Sequence, residues 1–318
     1  MEPLPEFLPL LSRGGDPSPR LPLSGSDALA RFRLAMNRAL LRWAGQGPGL
    51  GRVADLMVDG PYRPIPVRVY EPFGITAPGP AIVFCHGSGF VLGNLDTHDW
   101  LARSLADASQ AVVVSVDYLL APEHPFPAAL DECFAVLRWV ASGGAGGAAD
   151  PGRIALAGDS AGGAIVSGVS MTARDLGGPS VCAQLLMYPV CGHDLDTPSW
   201  DRFGHGYFLD QPTMRWFWSQ YLSRPQDAED PRAVPLAARD LRGMPPTVLI
   251  TAGCDPLKDE GLRLAERLIG SGVQARSLDY AGAIHGFMTM SGVSPTADAA
   301  VRLAVGALSD LAGWKLTI

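Results

Sequence analysis

The spacing of hydrophobic positions changes along the chain, and the changes divide it into elements. Leu29, Phe32, Met36, Leu40 and Trp43 recur at intervals of three and four, which predicts an amphipathic helix. Ser24 and Ser26 are its candidate caps, and Gly45-Gln46-Gly47-Pro48-Gly49 ends it. From residue 52 onward, short β-branched runs alternate with helical stretches. Strands are predicted at Val53–Val58, Val67–Tyr70, Ala81–Cys85, Ala111–Val116, Ile154–Ala157, Gln184–Tyr188, Val248–Thr251 and Val273–Leu278. Helices are predicted at Asp99–Ala108, Ala128–Ala141, Ala161–Leu176, Glu260–Ile269 and Thr296–Leu311. Runs such as Val112-Val113-Val114 are apolar without alternation, as strands buried on both faces are. Alternating strands and helices imply an α/β fold with a mainly parallel sheet covered on both sides.

One segment, about 192–240, interrupts the alternation. Trp200, Phe203, Tyr207, Phe208, Trp216, Phe217, Trp218 and Tyr221 are eight of the chain's 25 aromatics, and so mark it as a unit of its own. Asp210 before Pro212 starts a helix there. About half of these rings are expected to form the core of the insertion and the others to face a ligand, because a long insertion into a regular order is often functional. The predicted organisation is an N-terminal piece of a cap at 1–50, core at 51–191, an inserted cap segment at 192–240, and core again at 241–318.

Composition narrows the classes. A chain of 318 residues buries about three quarters of its unfolded surface and needs no disulfide or metal staple. No run of 18 apolar residues occurs, so no membrane span is expected. The acidic, proline-broken start Met1-Glu2-Pro3-Leu4-Pro5-Glu6 does not read as a signal peptide. A net charge of −7 disfavours a nucleic-acid partner. Cys85, Cys133, Cys182, Cys191 and Cys254 form no CxxC pair, and they fit small apolar residues in a reducing cytoplasm. His193, Asp194, Asp196, Asp201 and His205 match no metal-ligand spacing, so no metal is expected.

The candidate chemistry begins at Gly158-Asp159-Ser160-Ala161-Gly162, which follows a buried-type strand and opens a helix. GxSxG alone is a weak pattern; on a strand-to-helix turn it exposes a serine hydroxyl at the end of a sheet. A nucleophilic serine needs a base and an orienting acid. Asp255 and His285 each follow a strand, in the order Ser, Asp, His. Taken singly, Asp255 reads equally well as a helix cap and His285 as a loop histidine; Asp259, Glu260 and Asp279 are rival acids. Upstream, Ala81–Cys85 runs into His86-Gly87-Ser88-Gly89-Phe90, a small-residue loop able to aim backbone N–H groups at an oxyanion. Gly87, Gly89 and Gly93 with Asp117 also allow a dinucleotide loop, but that reading leaves Ser160, Asp255 and His285 unexplained.

These motifs resemble the hormone-sensitive-lipase-like branch of the α/β-hydrolases, the bacterial family IV carboxylesterases. The matching stretches are His86 to Phe90, Asp117 to Ala129, Gly158 to Gly163, Asp255 to Gly261 and His285-Gly286-Phe287. They cover roughly residues 50–318, and the N-terminal helix matches the family's cap more loosely. The resemblance implies an eight-stranded, mostly parallel sheet with helices on both faces and a helical cap. It implies Ser160 as nucleophile, His285 as base, Asp255 as orienting acid, and an oxyanion hole from the N–H groups of Ser88, Gly89 and Ala161, with His86, Gly87 and Asp159 supporting that loop. The expected pocket lining is Phe90, Phe203, Tyr207, Phe208, Trp216, Ile284 and Phe287.

Two positions depart from the family. Ser88 stands in place of a glycine; it keeps its N–H but loses easy access to positive φ, and its hydroxyl either points away or polarises the acyl pocket. Leu119 stands where arginine is common, so a structural ion pair is expected to be missing. Glu123 is read as a structural loop carboxylate, and the resemblance suggests cis bonds at Ala121-Pro122 and Phe126-Pro127. The expected function is cofactor-free hydrolysis of short- to medium-chain hydrophobic esters through an acyl-enzyme on Ser160. Lactone, amide or carbamate hydrolysis by the same triad is the alternative; a non-hydrolytic ligand-binding or dehydratase relative is a more distant one. The expected partner is a small-molecule ester, the expected location is the cytoplasm that the cysteines fit, and the resemblance suggests a homodimer.

Overall fold

A computed structural model describes residues 1–11, 26–75 and 78–314. All eight predicted strands are present: β1 (Arg52–Val58), β2 (Ile65–Glu71), β3 (Gly79–Cys85), β4 (Val112–Val116), β5 (Ala149–Asp159), β6 (Ala183–Met187), β7 (Thr247–Cys254) and β8 (Ala275–Ile284). They form one sheet in the order β1-β2-β4-β3-β5-β6-β7-β8. β1 pairs with β2, and β2 with β4, in antiparallel fashion; the other neighbours are parallel.

The helices are α1 (Leu8–Leu11), α2 (Ser26–Trp43), α3 (Asp99–Ser109), α4 (Ala128–Ala141), α5 (Ala161–Asp175), α6 (Pro198–Phe203), α7 (Gln211–Tyr221), α8 (Lys258–Gly270) and α9 (Thr296–Ala312). The period of two in the strands explains how they are shared out. Val112, Val114 and Val116 of β4 enter one core with Ala81, Val83 and Cys85 of β3, under α4, α5 and α8. Val113 enters the other core with Ile82 and Phe84, under α3 and α9. Every residue of β4 is therefore apolar or small, because both faces are covered.

The predicted starting points hold for α7, where Asp210 accepts from Thr213 N at 2.7 Å. Ser24 lies outside the described residues, as does the Ser26 side chain. β8 differs from its prediction. It begins two residues later, after a turn at Gly272 (φ +79°), and continues through Ile284 past a register shift against β7. His285 thus follows the strand directly, with no intervening loop. Ala121-Pro122 and Phe126-Pro127 are cis, as is Gly178-Pro179.

Leu119 supplies no charge, but a half-buried ion pair stands beside it. Arg63, from the β1–β2 connection, reaches Glu132 at 3.1 Å and donates to the Asp117 carbonyl, while Leu119 N donates to the other Glu132 oxygen at 2.8 Å. The cation comes from another part of the chain, which spacing around Leu119 does not reveal.

Candidate active site

β5 passes into α5 through Ser160, whose backbone sits at φ 51°, ψ −118°. Such a conformation is costly for a residue with a Cβ and is found where the surroundings over-determine it. Here Ser160 N donates to Met187 O at 2.9 Å, and Ser160 O accepts from Gly163 and Val190. A Cβ on Gly162 would collide with the Cys85 carbonyl, so glycine lets α5 lie against the end of β3.

The Ser160 hydroxyl donates to His285 Nε2 at 2.9 Å, and His285 Nδ1 donates to Asp255 Oδ2 at 2.8 Å. A carboxylate only accepts, so the proton lies on Nδ1 and Nε2 is left as the base facing the serine. Asp255 is fully buried, and its other oxygen accepts from Leu257 N at 2.8 Å. The edge-on ring of Tyr188 packs against His285 with centroids 5.2 Å apart. The rival acids are engaged elsewhere: Asp259 by Ser199 N, Glu260 by Cys191 N, and Asp279 by Lys258 and Thr251. Asp255 alone of the four faces the imidazole among the described residues.

Opposite Ser160, the loop after β3 carries Ser88 at φ +82° and Gly89 at φ +68°. The N–H groups of Ser88, Gly89 and Ala161 find no acceptor among the described residues. Asp159 Oδ1 ties the loop down by accepting from Gly87 N at 2.8 Å. His86 is fully buried, and burial pushes its imidazole down to about 3, so it is neutral at working pH. Its Nδ1 donates to Gly87 O at 2.9 Å, and its ring stacks on Tyr118, whose hydroxyl donates to His86 O.

Above Ser160 lies a cavity of about 100 Å³, and the N-terminal helix and the inserted segment both contribute to its walls. Phe32, Met36 and Leu40 of α2 face Leu209, Met214 and Phe217 across it. Ser88 is half-buried and lines this cavity beside Gly89. Of the expected lining, only Phe208 is on the wall. Phe90 is stacked on Tyr221 at 3.8 Å, Phe203 packs edge-on against Tyr207, and Trp216 against Phe32. Ile284 and Phe287 are fully buried in the core beneath α9, where Phe287 packs on Tyr188 and Tyr280. The reason is direction: on α7, Met214 and Phe217 are three apart and share a face, whereas Trp216 points about 100° away from Phe217. The α2 wall was visible in the sequence as the helix's own apolar stripe, but nothing there said that it faced a ligand. Among the described residues no group of three or more His, Cys, Asp or Glu is placed to hold a metal, and His193 packs on Trp218.

Residues 82–289 match a family described as having the alpha/beta hydrolase fold. Esterase LipI of Mycobacterium tuberculosis is 42% identical over 261 residues, covering 81% of each chain. Ethyl acetate hydrolase of Pseudomonas putida is 33% identical over 316 residues, 96% of this chain and 98% of that one. Among solved structures, an ester-hydrolase from the metagenome of Lake Arreo superposes with a TM-score of 0.90 at 36% identity, covering 98% of this chain and 99% of that one. The Pyrobaculum calidifontis esterase gives 0.87 at 37% identity over the same shares. The chain belongs to the α/β-hydrolase family, in its hormone-sensitive-lipase-like branch. Carboxylic ester hydrolysis is the activity that this membership defines.

Proposed function

We propose that Ser160 is the nucleophile, His285 the general base and then acid, and Asp255 the orienting acid of that hydrolysis. The observation that carries this reading is the unbroken line from Ser160 Oγ through His285 to Asp255, at 2.9 and 2.8 Å, beneath a mostly apolar cavity. The serine oxygen bonds to the ester carbonyl carbon while its proton passes to His285 Nε2. The carbonyl oxygen becomes an oxyanion held by the Ser88, Gly89 and Ala161 amides, each such donor being worth about 2.7–4 kcal/mol. The C–O bond then breaks, and the alcohol leaves with the proton from His285. Water, deprotonated by His285, attacks the acyl-enzyme; the acid departs and Ser160 recovers its proton.

α2 and the residues of 192–240 form the cap over this site, supported by their shared cavity wall and by the Phe32–Trp216 contact at 5.7 Å. The substrate is a neutral ester with a short to medium apolar acyl chain, supported by the small apolar cavity and by relatives named ethyl acetate hydrolase and arylesterase. The cysteines are all free and four of the five are buried, which suits a reducing cytoplasm. No described helix is long and apolar enough to cross a membrane.

The test is turnover of p-nitrophenyl esters from acetate to dodecanoate by the natural protein and by Ser160→Ala. Loss of the nucleophile is expected to lower kcat about a million-fold, and an organophosphonate is expected to label Ser160. Activity that survives the substitution overturns the assignment. Labelling without ester turnover moves the reading to a lactone, amide or carbamate.

A further inference from the structure

His98 is 2% exposed, lines the cavity and stands outside the Ser160–His285–Asp255 line. It occupies the N-cap position of α3, and its ring stacks on His86 at 5.2 Å. Its Nδ1 lies 2.9 Å from Thr97 Oγ1, and its Nε2 lies 3.5 Å from Asp159 Oδ2. The neighbouring groups set its protons. If the Thr97 hydroxyl donates to Nδ1, the ring proton sits on Nε2. If that hydroxyl donates instead to the Asn94 carbonyl, 2.9 Å away, it accepts from Nδ1. A bare Nε2 would face a carboxylate, which favours the first arrangement, with Nε2–H turned toward Asp159.

Asp159 is 3% exposed, and its other oxygen accepts from Gly87 N. A buried carboxylate held on one side only is costly and free to turn. The loop it secures is itself under strain, since Ser88 carries a side chain through φ +82°. Asp159 also directly precedes the nucleophile, so it couples the serine turn to the opposing loop. We propose that His98 is a positioning residue: it fixes the Asp159 carboxylate, which through Gly87 sets the Ser88 and Gly89 amides at their working distance from Ser160.

This rests on the oxyanion role proposed above. Amides displaced by a fraction of an ångström still admit substrate but stabilise the oxyanion less, and a misplacement of about 1 Å can cost about 10²-fold in rate.

Two amide variants separate the ring's two contacts. In His98→Asn the amide occupies the place of Nδ1 and is too short for Asp159; in His98→Gln it reaches the place of Nε2. His98→Asn is expected to lower kcat about 10- to 100-fold with KM near that of the natural protein, and to slow phosphonylation of Ser160 in parallel. His98→Gln is expected to recover most of that loss. Equal loss in both variants, unchanged kcat in His98→Asn, or an effect on KM alone overturns the proposal and leaves His98 as a cavity wall. If His98→Asn does not fold, Asp159→Asn carries the same prediction, because its amide would set N–H against N–H at His98 while keeping the Gly87 bond; unchanged kcat there overturns the proposal. Failure of the natural protein to label at Ser160 sinks the parent reading, whereas normal labelling with an unimpaired His98→Asn sinks this one alone.

Discussion

Ser88 holds φ +82° and Gly89 holds φ +68°, yet substitution should act on them in opposite senses. A side chain at positive φ costs about 1–3 kcal/mol, and the extra freedom of glycine in the unfolded chain takes back about 0.5–1 kcal/mol. Ser88→Gly is therefore expected to raise stability by up to about 2 kcal/mol in urea denaturation. Gly89→Ala is expected to lower it by more, because the added Cβ would stand 2.5 Å from the Phe217 ring carbons. If Ser88→Gly lowers stability, the hydroxyl contributes bonding that outweighs the strain. At this scale the sequence was informative about Ser160, Asp255 and His285, whose residue types and order carry their chemistry. It was silent about His98, since a histidine beside an aspartate at a helix start has many uses.

At the scale of elements, one side chain of α2 makes a cluster of polar ties to the core. Arg33 meets Glu123 through two contacts of 2.7 Å and donates to the Val91 and Ala121 carbonyls at 2.8 and 2.7 Å. The hydrogen bond from Arg33 holds the Glu123 carboxyl below its usual range. The structural reading of Glu123 thereby acquires a partner on the helix whose Phe32, Met36 and Leu40 line the cavity. Arg33→Ala is expected to cost about 1–2 kcal/mol, little of it from the half-exposed ion pair and most from the lost carbonyl contacts. It should raise KM several-fold while kcat changes little, as initial rates on a medium-chain ester would show. An unchanged KM would mean that α2 holds its place through apolar packing alone. Periodicity showed that α2 and α7 exist; it did not say that Phe32 meets Trp216, because two amphipathic stripes do not by themselves state which faces which.

Across the whole molecule, one enclosed carboxyl has no cation beside it among the described residues. Glu260, on α8, is 1% exposed, and its Oε1 accepts from Cys191 N at 3.0 Å. Burial pushes it well above the usual carboxylate range, with Asp255 adding to the rise. The folded protein therefore binds a proton that the unfolded chain releases above about pH 4.3. Stability from this group is full below that pH and falls as pH rises, by at most about 1.4 kcal/mol per pH unit, until the folded carboxyl itself ionises. Glu260→Gln keeps an acceptor and removes the titration. It should match the natural protein near pH 4 and be the more stable at pH 8 in urea denaturation; equal pH dependence in both would show that Glu260 is charged in the fold.

The eight strands, the long helices, the serine turn and the order of Ser160, Asp255 and His285 were determined by the sequence alone. They rest on local causes: a period of two or 3.6, glycines flanking a sharp turn, and side chains whose chemistry has few other uses together. The cavity wall, the Arg33–Glu123 tie, the Arg63–Glu132 pair and the His98–Asp159 contact were decided only by the tertiary structure. Each joins segments 61 to 90 residues apart, or turns on which way a helix faces. A helix turns each successive side chain by about 100°, so one position separates Phe217 on the cavity from Trp216 in the packing behind it, and only the assembled fold sets that angle.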